Sequence, residues 1–410
     1  MNVISNECCE LIHIIKGILG GECTAQMNPS VDYDVLFSIA RRNSVANTVA
    51  DCICDMDEIP KEVKEKFERQ KLVIIAQQLN RERALQVLYS ELDRHHIRGI
   101  FLKGTLLCDL YPQPFIRSMS DVDVYAEEKD MEVLHPLMLS LGYQPGVIGK
   151  GNHYEYMLGE MVKVEYHPEL VALTSAYGEA VFGKLYPDGR TVAKHMDVWE
   201  NSIPLEGREF ARQLLPEYHY TYVIMHMMNH FLTAGTGIRS IMDVWVMNRH
   251  YESSWNRGLV DELLESFGLV DFERYSLMLA HKWFDLTGLP NLPLEVDETV
   301  LDGFEAYILG SGTYGSAVNM LGRKMGGDAS VTRKALYLVS RFFLPYDKMS
   351  EAYPVLKRVP VLLPLVWLYR PVELMINRRD RARRKFKTVV SVDKGRITRQ
   401  SKLFDALLPR

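Results

Sequence analysis

The 410-residue chain is poor in cysteine, and what it has is badly spaced for structural work. Its six cysteines, among them Cys8-Cys9 and Cys52-x-Cys54, make no framework of the kind that staples small secreted domains. No Cys-x-x-Cys pair occurs, which removes a zinc site of that type, and reduced thiols are expected. Long apolar runs are missing too. The strongest, Val359 to Leu368, is broken by Pro360 and Pro364 and falls short of the roughly twenty residues that span a bilayer. The first ten residues lack a basic stretch followed by an apolar core, so no secretory signal is read, and a cytoplasmic location is expected. There is no short-period repeat, no low-complexity tract and no recognisable RNA-binding motif.

What is present is ordinary globular material. Hydrophobic residues make up 47% and charged residues 25%, enough for a large core and two or three structural units. The net charge of −5 is unevenly spread. Residues 331–410 carry 19 Lys or Arg against 6 Asp or Glu, so the rest of the chain is acidic. That asymmetry points to an anionic partner for the tail: the acidic body, nucleic acid, a phosphorylated molecule or a membrane surface. The run from Arg378 to Lys387 is basic with few aromatics, which fits a solvated helix better than a base-stacking platform. Leu363, Val366, Trp367 and Leu368 precede it, so peripheral attachment to the inner membrane face is the sharper alternative.

Four segments are expected. Residues 1–95 read as helical, and in the last stretch Val63, Phe67, Leu72, Ile75, Leu79, Leu85, Leu88 and Leu92 recur at helical spacing. Residues 96–170 alternate strands and helices. A helix is expected from Glu127 to Leu141, with Gly142 as its stop. Residues 171–330 read as helical again, with a strand around Trp199 to Leu205. Residues 331–410 form the basic, partly apolar helical tail.

The chemistry concentrates in the second segment. Phe101-Leu-Lys-Gly-Thr105 breaks an apolar strand, and sixteen residues after Thr105 comes Asp121-Val-Asp123-Val. At strand spacing the two carboxylates share a face. They repel each other unless a cation sits between them, and a divalent ion there would bring nucleotide phosphates with it. A glycine at the preceding turn lets backbone amides approach a phosphate closely. Beyond this, His153 to Leu158 and Met161 to His167 read as a hairpin turning on the two residues Gly159-Glu160. In its second strand Lys163, Glu165 and His167 share one face, which makes Glu165 the best third acid, with Glu155 on the neighbouring strand as its rival.

Leu102-Lys-Gly-Thr-Leu-Leu, Tyr111-Pro, Arg117 and Asp121-Val-Asp-Val together resemble the bacterial uncharacterised nucleotidyltransferases of the DNA polymerase beta-type superfamily. The chain departs from that superfamily's usual signature in its Lys103-Gly104-Thr105 turn and its long spacer. The resemblance implies an α+β fold: a small mixed sheet with helices, flanked by N- and C-terminal helical regions. It also implies two magnesium ions, or manganese, held by Asp121, Asp123 and Glu165. Transfer of a nucleoside monophosphate from a nucleoside triphosphate, with ATP the default, to an unidentified acceptor is the implied reaction. Lys103, Gly104, Thr105 and Arg117 would meet the triphosphate, and His167 is a candidate phosphate or substrate contact.

The third segment holds two further features. Arg239 and Asp243 lie one helical turn apart. Their plain reading is an i,i+4 ion pair, and the resemblance adds a second signature block presenting Arg239 to phosphate and Asp243 to the acceptor. His226 and His230 also share a helical face, and with no third ligand in view they read as packing residues, without metal. The competing functions are nucleotide addition to RNA ends and an inactive nucleotide- or partner-binding scaffold.

Overall fold

The computed structural model of the chain describes residues 4–22, 30–148, 153–289, 295–313, 343–377 and 394–409, with short pieces between them. It divides into two compact units, Met1–Tyr314 with Ala406–Arg410, and Gly315–Asp405.

The larger unit begins with four helices: α1 (Asn6–Leu19), α2 (Tyr33–Arg42), α3 (Ala46–Asp55) and α4 (Lys61–His95). α1 and α2 are capped by Ser5 and Asp32, whose side chains accept from amides of the first turn. α4 ends on His96, a left-handed residue with φ 55°. Its inward stripe differs from the expected one. Leu72 and Leu79 are more than half exposed, whereas Val63, Phe67, Arg81, Ala84, Leu85, Leu88 and Leu92 are buried. At 3.6 residues per turn the inward line from Phe67 to Arg81 runs through Gln70, Ile74 and Gln77, so the polar residues of mid-helix, not the leucines, face the protein.

A seven-stranded sheet follows in the order β3-β4-β5-β2-β1-β7-β6. Its strands are β1 (Gly99–Leu102), β2 (Val122–Tyr125), β3 (Gln144–Pro145), β4 (Tyr154–Leu158), β5 (Val162–His167), β6 (Ser202–Pro204) and β7 (Ala211–Leu214). β1 is antiparallel to β2 and parallel to β7, and β2 is parallel to β5. The sheet therefore continues past residue 170, because β6 and β7 return to pair beside β1. β4 and β5 are joined by three residues, one more than expected, since Leu158 pairs with Val162 across Gly159 at φ 60°. The helix expected at 127–141 is a 3-10 turn, Glu128–Asp130, followed by α6 (Met131–Ser140), with Gly142 past its end at φ 85°. On β5, Val162, Val164 and Tyr166 are buried in a core shared with Leu85, Leu88 and Leu92 of α4 and Leu134 and Met138 of α6. Lys163, Glu165 and His167 take the other face.

The remaining helices of this unit are α5 (Gly104–Leu107), α7 (Gly183–Leu185), α8 (Val192–His195), α9 (Pro216–Thr233), α10 (Ile238–Tyr251), α11 (Arg257–Ser266), α12 (Val270–Phe284) and α13 (Glu298–Ser311). In the second unit α14 (Tyr346–Ala352), α15 (Val355–Arg358) and α16 (Leu363–Asn377) are followed by α17 (Lys394–Leu407), whose last residues belong to the first unit. Trp367 of α16 donates to the Leu344 carbonyl at 2.9 Å, while Leu365, Leu368 and Tyr369 stand exposed. The basic run 378–387 lies outside the described residues. Among the described residues no helix is long and apolar enough to cross a membrane. Cys8, Cys9, Cys54 and Cys108 are free thiols, but Cys52 is disulfide-bonded, against the expectation of reduced thiols throughout.

One loop, residues 111–120, receives contacts from almost every layer. Arg117 forks onto Asp243 of α10, with Nε 2.6 Å from Oδ1 and Nη2 2.8 Å from Oδ2, and the Tyr111 hydroxyl donates to the same carboxylate at 2.7 Å. Asn47 and Thr48 of α3 bind the carbonyls of Phe115 and Ile116. Arg81 of α4 donates to the Met119 carbonyl at 3.2 Å, and Arg239 of α10 to the Ser118 carbonyl at 2.7 Å. The expected Arg239–Asp243 pair is thus not formed, because each is drawn to the loop. Burial opposes the charge on Arg117, and the Asp243 carboxylate outweighs it and raises the guanidinium pKa. Removing one partner of a buried pair strands the other, so Asp243→Ala should lower stability by about 3–5 kcal/mol in urea unfolding. Arg117→Met with Asp243→Leu should recover most of that loss, and a single variant as stable as the parent would show that the pair does not hold the loop.

Candidate active site

The acids stand in a row on one face of three neighbouring strands. Asp123 of β2 lies opposite Glu165 of β5, and Glu165 lies opposite Glu155 of β4. Pleat alternation puts Asp121 and Lys163 one step before this row and His167 and His153 one step after it. The contacts agree. Lys163 Nζ is 3.2 Å from Asp121 and 2.5 Å from Glu165, and the rings of His153 and His167 lie 6.0 Å apart.

Asp123 is the buried member, only 5% exposed. Lys103 Nζ sits 3.0 Å from its Oδ2 and His167 Nε2 2.8 Å from its Oδ1. Burial alone would favour the neutral acid, but the Lys103 ammonium and the His167 hydrogen bond prevail and hold this carboxyl well below the usual range. Burial likewise opposes the charge on Lys103, and Asp123 overcomes it, raising the lysine. Lys163 is raised against its own burial by Glu165 and Asp121.

Lys103 reaches Asp123 from an unusual backbone, φ 47° and ψ −120°. Such a conformation in a side-chain-bearing residue costs energy and persists only when neighbours impose it. Here the Lys103 amide donates to His219 Nε2 of α9 at 3.1 Å. Gly104 follows because nothing larger fits: an added Cβ would lie 2.2 Å from Met119 Sδ and 2.6 Å from Arg117 Nη1. The glycine therefore accommodates the loop that carries Arg117, a constraint the sequence did not reveal. Among the described residues the buried Thr105 hydroxyl has no hydrogen-bond partner.

α9 closes the Lys103 side. Tyr222 hydrogen-bonds Lys103, and His226 and His230 meet through their Nε2 atoms at 2.8 Å. Burial and Lys103 push His226 well below its ordinary value and His230 down to about 4. His230 is exposed and His226 half-buried.

The sequence-expected residues are thus sorted into three groups. Asp123, Glu165 and His167 bring ligand atoms within 4.8 Å of one another, and His153, Glu155 and Glu165 form a second such group. Each group offers two carboxylates and one imidazole, donors that could hold a divalent metal ion. Asp121 belongs to neither group among the described residues and faces Lys163. Lys103, Gly104 and Thr105 adjoin the row. Arg117 and Asp243 are turned to each other, and Arg239 to the Ser118 carbonyl. Strand alternation placed Lys163 on this face without giving it a role, and the same alternation carried to β4 would have found His153. His219 left no signal, since its partner is 116 residues away.

His219 is buried, and burial and Arg117 lower it to about 4. In the unfolded chain its pKa is near 6.5, so between these values the unfolded state binds more protons and stability rises with pH. Stability should therefore fall as pH drops from 6.5 towards 4, by about 3 kcal/mol from this residue. His219→Gln keeps an acceptor at the Nε2 position, and urea unfolding at pH 7 and pH 5 should show a smaller difference than in the parent. An unchanged difference would mean that His219 is not the group responsible.

A model of the family described as "uncharacterised nucleotidyltransferase" matches residues 29–285. No curated protein matches the chain. Among solved structures, an antigenic nucleotidyltransferase-like protein from Paracoccidioides brasiliensis is 15% identical at a TM-score of 0.30, covering 49% of this chain and 91% of its own. A tRNA nucleotidyltransferase solved with a primer tRNA and an incoming ATP analogue is 14% identical at a TM-score of 0.19, covering 72% of this chain and 99% of its own. Both superpositions are loose, whereas the family match spans more than half of the chain, including the glycine turn, the acid row, α9 and α10. The chain belongs to the uncharacterised nucleotidyltransferase family.

Proposed function

We propose that this chain is a bacterial enzyme of the polymerase beta-type superfamily. It would move a nucleoside monophosphate from a nucleoside triphosphate, ATP first, to an acceptor hydroxyl or phosphate. The observation that carries the reading is the row of Asp123 and Glu165 on paired strands, with His167 completing a donor set beside a strained lysine–glycine turn.

The reaction balances without further reactants. An acceptor oxygen bonds to the α-phosphorus, the bond from that phosphorus to the bridging oxygen breaks, and pyrophosphate leaves with the electron pair. The acceptor's proton passes to a carboxylate of the row, and Asp121 is the candidate because it stands outside both donor groups. Asp123, Glu165 and His167 would hold a divalent ion, magnesium or manganese. Such an ion supplies charge neutralisation for the phosphates and lowers the pKa of a bound hydroxyl. Lys103 is kept charged by Asp123 and stands ready as a point charge for the triphosphate. The unpartnered Thr105 hydroxyl offers that group one hydrogen bond. Arg239 uses Nη1 on Ser118 and keeps its other donors for phosphate. Arg117 and Asp243 we assign to holding the loop.

Asp123→Asn and Glu165→Gln should each lower magnesium-dependent pyrophosphate release at least a hundredfold in a protein that still unfolds cooperatively, and a chelator should abolish it. Full release by either folded variant would end this reading.

A further inference from the structure

α4 is packed at both ends and open in the middle. Val63 and Phe67 are buried near its start, and Ala84, Leu85, Leu88 and Leu92 join the core of the sheet near its end. Between Phe67 and Arg81 no residue of the helix is buried. Gln70, Ile74 and Gln77 follow one another there at spacings of four and three, so all three project from one face. Beneath them is a cleft of about 390 Å³, walled on the other side by Ser118, Met119, Ser120 and Lys163. Arg41 of α2 also lines it, as does Glu160 from the β4–β5 turn.

Some polar groups of this cleft are engaged by the protein, namely Asn47, Ser118 and Lys163, and others are not. Among the described residues the side chains of Arg41, Gln70, Gln77 and Ser120 have no hydrogen-bond or ion-pair partner. Both glutamines are partly exposed, so their amides are open to a ligand or to water from the cleft side. The lining also has a chemical character. Each glutamine offers both a donor and an acceptor, the complement of a hydroxyl group. Methionine and isoleucine supply the apolar floor, and no aromatic ring lines the cleft to stack a base. The volume lies at the lower end of small-molecule sites, which suits one ring rather than a polymer.

The cleft meets the acid row through Lys163, which lines it while touching Asp121 at 3.2 Å and Glu165 at 2.5 Å. The strained turn and α9 lie beside Asp123, where Lys103 contacts it. We infer that this cleft is the acceptor subsite and that the acceptor is a polyhydroxylated small molecule of monosaccharide size. Gln70, Gln77 and Ser120 hold its hydroxyls, and Arg41 takes an anionic substituent such as a phosphate. One of those hydroxyls is the oxygen that attacks the α-phosphorus. The inference rests on the nucleotidyl-transfer reading and names its second substrate.

The test uses the full chain with magnesium and α-labelled ATP against a panel of hexoses, aminohexoses, hexose 1-phosphates and inositol, with nucleosides, a serine-containing peptide and a short RNA for comparison. The parent should label at least one polyol, and Gln70→Leu with Gln77→Leu should raise the KM for that polyol at least tenfold. Leucine extends the apolar stripe of α4, and a cooperative melt would verify that the variant folds. Labelling confined to the peptide, the RNA or a nucleoside would overturn the assignment. So would pyrophosphate release without any polyol labelled, or a polyol KM untouched by the two leucines. Asp123→Asn separates the two levels. If it abolishes transfer while the leucine variant changes nothing, only the acceptor subsite is wrong; if it leaves transfer intact, the reaction itself is wrong.

Discussion

The Arg117–Asp243 pair fixes the place where three layers of this protein meet. Asp243 belongs to α10, Arg117 to the loop that runs into β2, and the same loop is gripped by Asn47 and Thr48 of α3 and by Arg81 of α4. A bidentate pair with both partners almost fully buried tolerates little rotation, since any loosening leaves a charge in a low-dielectric interior. The direction in which Asp121 and Asp123 leave the loop is set there. So is the absence of a side chain at residue 104, since Arg117 and Met119 occupy the space that a Cβ would need.

From that junction the site is governed by charge compensation. Asp121, Asp123, Glu165 and Glu155 crowd onto one sheet face, and the chain answers them with Lys103 at one end and Lys163 in the middle. The strained backbone at Lys103 is imposed from two sides, by the His219 acceptor and by the Asp123 carboxylate. With these ion pairs in place, a cation would have to compete with the lysines for the carboxylates, and a phosphate with the carboxylates for the lysines. The imidazoles of His226 and His230 on α9 add hydrogen-bonding capacity with little added charge, because burial and Lys103 both oppose their protonation.

Much of this was legible in residue order where the relevant physics is local. Strand alternation assigned Lys163, Glu165 and His167 to one face of β5, and the glycine after residue 141 marked the end of α6. Other features failed for a shared reason. Spacing made Leu72 and Leu79 part of the α4 core face, yet the helix bridges a cleft in that stretch and the leucines point outward. Arg239 and Asp243 had the spacing of an intrahelical pair, but the loop offered each a better partner. β7 was invisible, because four residues of mixed character become a strand only when β1 lies alongside.

The sequence by itself determined the candidates for the chemistry: the acids, the lysine–glycine turn and the alternation that keeps Glu165 off the core face. These are properties of neighbours along the chain, fixed by backbone period. Only the tertiary structure decided the partners. That Asp123 belongs to Lys103 and His167, that Asp121 belongs to Lys163, and that the glutamines of α4 look into a cavity all depend on register and packing. Those contacts join residues tens of positions apart, and no local rule reaches that far.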